Sequence, residues 1–174
     1  MDLLPIYSTP LWQTSYSEFS KNGSLIESAI ERAKEKKLGL LDHYFINVNI
    51  GFLTSFMIQS SYYCASDLNL SSNNFIVSNA YFCASDSEFS DLGEESTFTG
   101  VLWTEYSEDS FIKVNNFPFQ WQGYSFVNNI KNQYTSKEVS VNPEVGDVFI
   151  FPSYLDFSLK HENSSCFVFT INLI

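Results

Sequence analysis

The chain has 174 residues, 44% of them hydrophobic and 17% aromatic, so it carries enough apolar surface to offset the entropy of ordering a compact fold, and global disorder is excluded. That length suits one domain, expected to span residues 1–174. Nine Lys and Arg against 20 Asp and Glu give a net charge of −11, which repels phosphate and argues against nucleic acid as a partner.

The start, Met1-Asp2-Leu3-Leu4-Pro5, has no basic n-region, and no stretch reaches the ~18 apolar residues of a membrane span. A soluble protein without a signal peptide, cytoplasmic at synthesis and with no membrane partner, is the expectation. Residues 3–16 contain Pro5 and Pro10, which forbid a helix and suit an N-terminal edge strand. Ser24-Leu25-Ile26-Glu27 reads as a capping box, after which Leu25, Ile26, Ala29, Ile30 and Ala33 share one face of an amphipathic helix that stops before Gly39. The basic run Arg32-Ala33-Lys34-Glu35-Lys36-Lys37 complements the dipole at that helix's end and reads as a solvated terminus. Ile50, Leu53, Phe56, Met57, Ser60, Tyr63 and Cys64 predict a second helix over 50–66.

Residues 1–70 thus form an N-terminal strand and two helices, and the character changes at Phe75. Short Val-, Phe-, Tyr- and Thr-rich runs separated by Asn, Ser, Gly and Asp predict strands over 75–84, 97–106, 109–115, 121–127, 137–141, 146–152, 157–161 and 166–173. The fold class expected is mainly β (α+β), a two-sheet jelly roll over 75–174 with the two helices packed outside.

Cys64, Cys83 and Cys166 are odd in number and lack C-x-x-C spacing, so buried thiols in a reducing compartment are expected rather than a zinc knuckle or a disulfide framework. The acidic stretch 86–95 offers oxygen ligands for Ca²⁺ or Mg²⁺ but lacks the spacing of a known calcium loop, which favours a solvated acidic loop. His43 and His161 stand in no Ser-His-Asp or Cys-His order, and Gly100, Gly123 and Gly146 are isolated, so neither an activated nucleophile nor a phosphate cradle is indicated. Phe117, Phe119, Trp121 and Tyr124 are candidates to anchor a protein partner, with ordinary sandwich core as the competing reading.

The segment Val141-Asn142-Pro143-Glu144-Val145-Gly146-Asp147-Val148-Phe149-Ile150-Phe151-Pro152-Ser153-Tyr154-Leu155 places a Pro/Gly turn before a nearly all-apolar buried strand that Pro152 ends. It resembles the signature "v-P-x-x-G-x-l-x-l-F-P-S-w-L" of the 2-oxoglutarate/Fe(II)-dependent oxygenases, in a group common in marine bacteriophage genomes. Leu4 to Trp12 resembles that family's opening "f-P-t-P-v-w", Phe98-Thr99-Gly100-Val101-Leu102-Trp103 its "l-S-G-V-y-Y", and Phe169-Thr170-Ile171-Asn172 its closing "i-S-F-N". The matches keep their order from one end of the chain to the other. The implied fold is a double-stranded β-helix, a cupin-like jelly roll.

The family's chemistry requires two His and a carboxylate on Fe(II), with open positions for 2-oxoglutarate and dioxygen. The resemblance puts the proximal pair at Asp91 and Gly93, the distal His at Phe157, and the Arg that clamps 2-oxoglutarate at Cys166. Asp91, Gly93, Phe157 and Cys166 thus stand where His, His or Asp, His and Arg are expected, and none has the required side chain. Trp103 replaces the second aromatic of "y-Y" and is expected to fill the pocket. His161 lies four positions beyond Phe157 and would need a register shift to reach it, and His43 is expected to be partly buried and hydrogen-bonded. Lys113 and Lys160 offer point charges for an anion without restoring turnover.

The reading that follows is a non-catalytic oxygenase-fold protein, a structural or protein-interaction module with no cofactor, in a bacteriophage virion as a neck, tail, baseplate or decoration component. Its expected partners are proteins, including copies of itself in a homo-oligomer. The alternative is an Fe(II)/2-oxoglutarate dioxygenase whose metal site is rebuilt from Asp91, His161 and a neighbouring carboxylate. A third reading uses the jelly-roll mouth to bind a sugar or another small ligand.

Overall fold

Alternation along the long strands decides the architecture. In a computed structural model that describes residues 11–35, 39–70, 74–84, 96–115, 138–155, 157–160 and 163–174, the chain runs β1 (Trp12–Ser15), α1 (Gly23–Glu35), a π-helical turn (Phe45–Asn49), α2 (Gly51–Asp67), β2 (Phe75–Ala84), β3 (Phe98–Glu105), β4 (Phe111–Asn115), β5 (Glu138–Val141), β6 (Asp147–Pro152), β7 (Phe157–Lys160) and β8 (Ser165–Leu173). Strands β1-β6-β3-β8-β2 form one antiparallel sheet and β5-β4-β7 a second. On β6, Val148 and Ile150 join the core under the helices while Phe149 and Phe151 join the core between the sheets. On β8, Phe167, Phe169 and Ile171 take the helix side, Cys166 and Val168 the other. A strand buried on both faces has no polar alternation left to show, hence the continuous apolar runs in sequence. This is the mainly β jelly roll with two outside helices.

Helix α1 buries Ile26, Ala29, Ile30 and Ala33, but Leu25 is 55% exposed, which corrects its placement on the core face. The capping box is also displaced: the Asn22 carbonyl accepts the Leu25 and Ile26 N–H groups, so the helix opens at Gly23 and Ser24 lies within its first turn. Lys34, at the other end, reaches both carboxylate oxygens of Glu105 at 3.0 Å, and Ser165 donates to the same carboxylate at 2.7 Å, tying α1 to the ends of β3 and β8.

Asp42 caps the turn before α2 by accepting the Phe45 N–H at 2.7 Å. Helix α2 ends in a Schellman arrangement, with Asn69 at φ 54° and N–H bonds from Leu70 to Ala65 and from Asn69 to Ser66. Gly100 lets the helix approach the sheet, since a Cβ there would stand 3.0 Å from the Met57 sulfur. The turn before β6 forms as its Pro and Gly foretell: Asp147 N–H bonds the Glu144 carbonyl, Gly146 takes φ +89°, and Phe19 packs over it. The strand expected over 121–127 lies outside the described residues. Among the described residues no helix is long and apolar enough to cross a membrane.

Candidate functional site

The interior between the sheets is where the family resemblance would put chemistry. Strand β3 supplies Val101 and Trp103, β6 supplies Phe149 and Phe151, and β8 supplies Cys166 and Val168; Ile112, Val114, Phe157 and Leu159 meet them from the second sheet. Trp103 and Cys166 are fully buried and Phe157 is 6% exposed. The Phe151 and Phe157 rings meet edge to face with centroids 5.0 Å apart. The positions read in sequence as the distal ligand and the 2-oxoglutarate clamp, Phe157 and Cys166, are thus brought into one apolar cluster with Trp103.

Cys166 stands directly opposite Cys83 in the β2/β8 register. Leu41 N–H bonds the Ala80 carbonyl and Phe82 N–H bonds Gly39, which turns Ala80 and Phe82 away from β8 and leaves Cys83 paired to Cys166 through the ladder. Burial, then the neighbouring Cys83, pushes the Cys166 thiol well above its ordinary pKa, so it is a neutral packing group rather than a nucleophile. All three cysteines are free and buried, as their spacing implied, and burial beside Asp67 pushes Cys64 up to about 12. Among the described residues the Trp103 indole N–H meets no acceptor. Toward the other end of β8 the inward face turns polar: Thr170 pairs with Ser78, and Thr99 and Ser96 share the Ser153 hydroxyl.

Among the described residues no three His, Cys, Asp or Glu side chains come together. Asp91, Gly93, the acidic loop 86–95, His161 and the aromatics Phe117, Phe119, Trp121 and Tyr124 lie outside the described residues. His43 is exposed, which corrects the expectation of a partly buried side chain: it precedes the π-helical turn on the solvent side, while Phe45 and Ile46 turn inward.

A feature not anticipated from sequence lies on the other face of the large sheet. A groove of about 810 Å³ separates β1 from α2, with Trp12 and Tyr16 on one wall and Phe52, Phe56, Gln59 and Tyr63 on the other. Among the described residues its only charged lining residue is Glu18. Tyr16 is held by an edge-to-face contact with Phe56 at 4.9 Å and by Asn22, which donates to its hydroxyl at 2.7 Å. The sequence signal was present but masked. Leu53, Met57 and Cys64 form the buried stripe of α2, and Phe52, Phe56 and Tyr63 form a second stripe beside it, so apolar residues occur around much of the helix.

No family model matches the sequence, and no curated protein matches it. Among solved structures the chain is similar to a prolyl-4-hydroxylase of Pseudomonas putida, at 13% identity and a TM-score of 0.60 over 95% of this chain and 89% of that one. It is also similar to the non-heme alpha ketoglutarate dependent carbocyclase SnoK from nogalamycin biosynthesis, at 10% identity and a TM-score of 0.56 over 95% of this chain and 80% of that one. At such identities the likeness concerns architecture, and the architecture of this chain is that of the 2-oxoglutarate/Fe(II) oxygenase fold.

Proposed function

We propose that this chain is a non-catalytic protein on the oxygenase fold, acting as a structural or protein-interaction module. The observation that carries the reading is the cluster of Phe157, Cys166 and Trp103, sealed between the sheets. A phenyl ring has no donor for iron, and a neutral buried thiol has none of the forked N–H groups that hold a carboxylate, so these residues do not fit the family's metal and co-substrate. The place of the protein in this proposal is a bacteriophage particle, as a neck, tail, baseplate or decoration component. That part rests on the resemblance of the Pro143 to Leu155 segment to a group common in phage genomes.

Anaerobic titration of Fe(II) in the presence of 2-oxoglutarate is the test. The expected outcome is no metal-to-ligand charge-transfer band and, on admitting oxygen, no succinate. A band with succinate release would establish the alternative, an oxygenase with a site rebuilt around Asp91 and His161. For the virion assignment, antibodies to the chain should label purified phage particles of its host; labelling confined to the infected-cell lysate would remove it.

A further inference from the structure

The two margins of the five-stranded sheet are finished differently. At the β2 margin, residues 39–41 cover the outer edge through the Leu41 to Ala80 and Phe82 to Gly39 backbone bonds. At the β1 margin, the Tyr16 N–H donates to the Gly146 carbonyl at 2.9 Å, which fixes the parity of the ladder. Trp12 and Thr14 direct their backbone groups to β6, as Tyr16 does its N–H, and Gln13 and Ser15 direct theirs outward. Among the described residues no backbone group pairs with those of Gln13 and Ser15.

An open edge of this kind is a template for another strand, and proteins usually cover or charge it. Here it borders the groove whose far wall is the second stripe of α2. The Trp12 indole donates to Asp67 at one end, and Tyr16 packs near Phe52 at the other, so β1 and α2 run antiparallel along the groove. From Phe52 to Tyr63 a helix rises about 16 Å, the length of about five extended residues. Phe52 and Phe56 are partly exposed and Tyr63 is 69% exposed, leaving ring surface for the alternate side chains of such a strand.

We propose that the outer edge of β1 and the adjoining groove bind an extended peptide of a protein partner by strand addition. Backbone bonds to Gln13 and Ser15 hold the peptide, apolar or aromatic side chains on one of its faces enter the groove, and a Lys or Arg meets Glu18. The charge follows from a lining that, among the described residues, holds Glu18 and no cation, with Asp67 at the other end, in a chain of net charge −11; Lys21, which pairs with Glu18 at 3.6 Å from an exposed position, gives way to the peptide's cation. This rests on the interaction-module reading and gives it a class of partner.

The test pans a phage-displayed library of random dodecapeptides against the full chain, then titrates synthetic copies of the enriched peptides by NMR and calorimetry. Enriched peptides should alternate apolar and polar residues, carry a Lys or Arg, and perturb amides of β1 and α2. N-methylation at alternate peptide positions should weaken binding at least tenfold, while methylation at the positions between leaves it intact. Ser15→Pro removes an outward donor and keeps the β1/β6 backbone ladder, losing the Ser15 hydroxyl bond to Asp147, and should weaken binding at least tenfold; Ser55→Trp, which fills the groove from the exposed side of α2, should do the same if the proline variant is poorly folded. Glu18→Gln should weaken it several-fold.

Failure to enrich any peptide overturns the proposal, as does binding indifferent to both N-methylation registers and to Ser55→Trp. A glycan array hit that competes for the same lining and is lost in Tyr63→Ala overturns it in favour of a sugar site. Incubating the bound peptide with Fe(II), 2-oxoglutarate and oxygen separates this outcome from the reading beneath it. Gain of one oxygen atom by the peptide would overturn the non-catalytic reading while leaving the edge site standing.

Discussion

The interior between the sheets and the groove beneath α2 are built from the same residue types and do opposite things with them. Trp103, Phe149, Phe151 and Phe157 are enclosed by facing strands, so their surface contributes to stability. Trp12, Phe52, Phe56 and Tyr63 belong to a strand and a helix that splay apart at a sheet margin, so part of their surface remains available. The difference is topological. An aromatic on a central strand meets a second layer, whereas one at an edge meets a partner only if another element crosses it. Fold-level likeness to oxygenases draws attention to the interior, but among the described residues the aromatic surface left uncovered is on the outside.

That comparison breaks most sharply at Cys166. If the interior is a closed core, Cys166→Arg places a guanidinium among Trp103, Cys83 and Val168, none of which offers it a carboxylate, and the protein should lose about 4 kcal/mol or more and fail to fold cooperatively in urea. A wet, open pocket would accept the same Arg with little change in the urea midpoint. Trp103→Ala should cost about 3–5 kcal/mol. Trp103→Phe should lie within about 1 kcal/mol of the parent, because the lost volume is offset by removing a buried donor that has no acceptor. Tyr63→Ala, at the groove, should change stability by less than about 0.5 kcal/mol.

What was legible in sequence follows from the range of the interactions involved. Strands β6 and β8 were readable because burial on both faces writes itself as an unbroken apolar run, and α1 because Ile26, Ala29, Ile30 and Ala33 recur at helical spacing. Leu25 deceived because a capping box and an apolar neighbour look the same whether the helix begins at Gly23 or a residue later. That Trp103 fills the interior was inferred through resemblance; periodicity alone placed neither it nor Phe157 there. The groove was not readable, since its walls come from segments about 40 residues apart and the outward turn of Gln13 and Ser15 depends on the register with β6. The π-helical turn at Phe45–Asn49 left no spacing signal that distinguishes it from an ordinary helix start.

An effect smaller than those of Cys166→Arg and Trp103→Ala sharpens the contrast between the sealed and open sides of α2. Gly100→Ala inserts a Cβ 3.0 Å from the Met57 sulfur, on the buried stripe of the helix beside the groove stripe. Met57 has a flexible side chain, so the expected cost is about 1–2 kcal/mol in urea unfolding, and Gly100→Ala combined with Met57→Ala should be less destabilised than the sum of the two single changes. A full sum of the single effects would show that the helix does not rest on β3 at this point.

The effect most dependent on conditions concerns Glu105, where α1 meets the sheet. Burial raises its carboxyl pKa, but the Ser165 hydroxyl and the Lys34 ammonium outweigh burial and hold it below the ordinary carboxylate value of 4.5. A lowered folded-state pKa means that the ionised group favours the folded state. The contribution is therefore complete above the unfolded pKa and disappears as pH falls through the folded one. Glu105 and Lys34 are both more than a third exposed, so the pair is worth at most about 1 kcal/mol at low salt. The stability difference between the parent and Glu105→Gln should shrink as pH drops below 4.5, read from urea midpoints at a series of pH values. Added salt should weaken the part due to Lys34, which is screened, more than the part due to Ser165, whose hydroxyl is fully buried. Lys34→Met should therefore lose most of its effect in salt, and Ser165→Ala should keep its own. Equal salt sensitivity in the two variants would mean that the hydroxyl contributes nothing of its own to the attachment of α1.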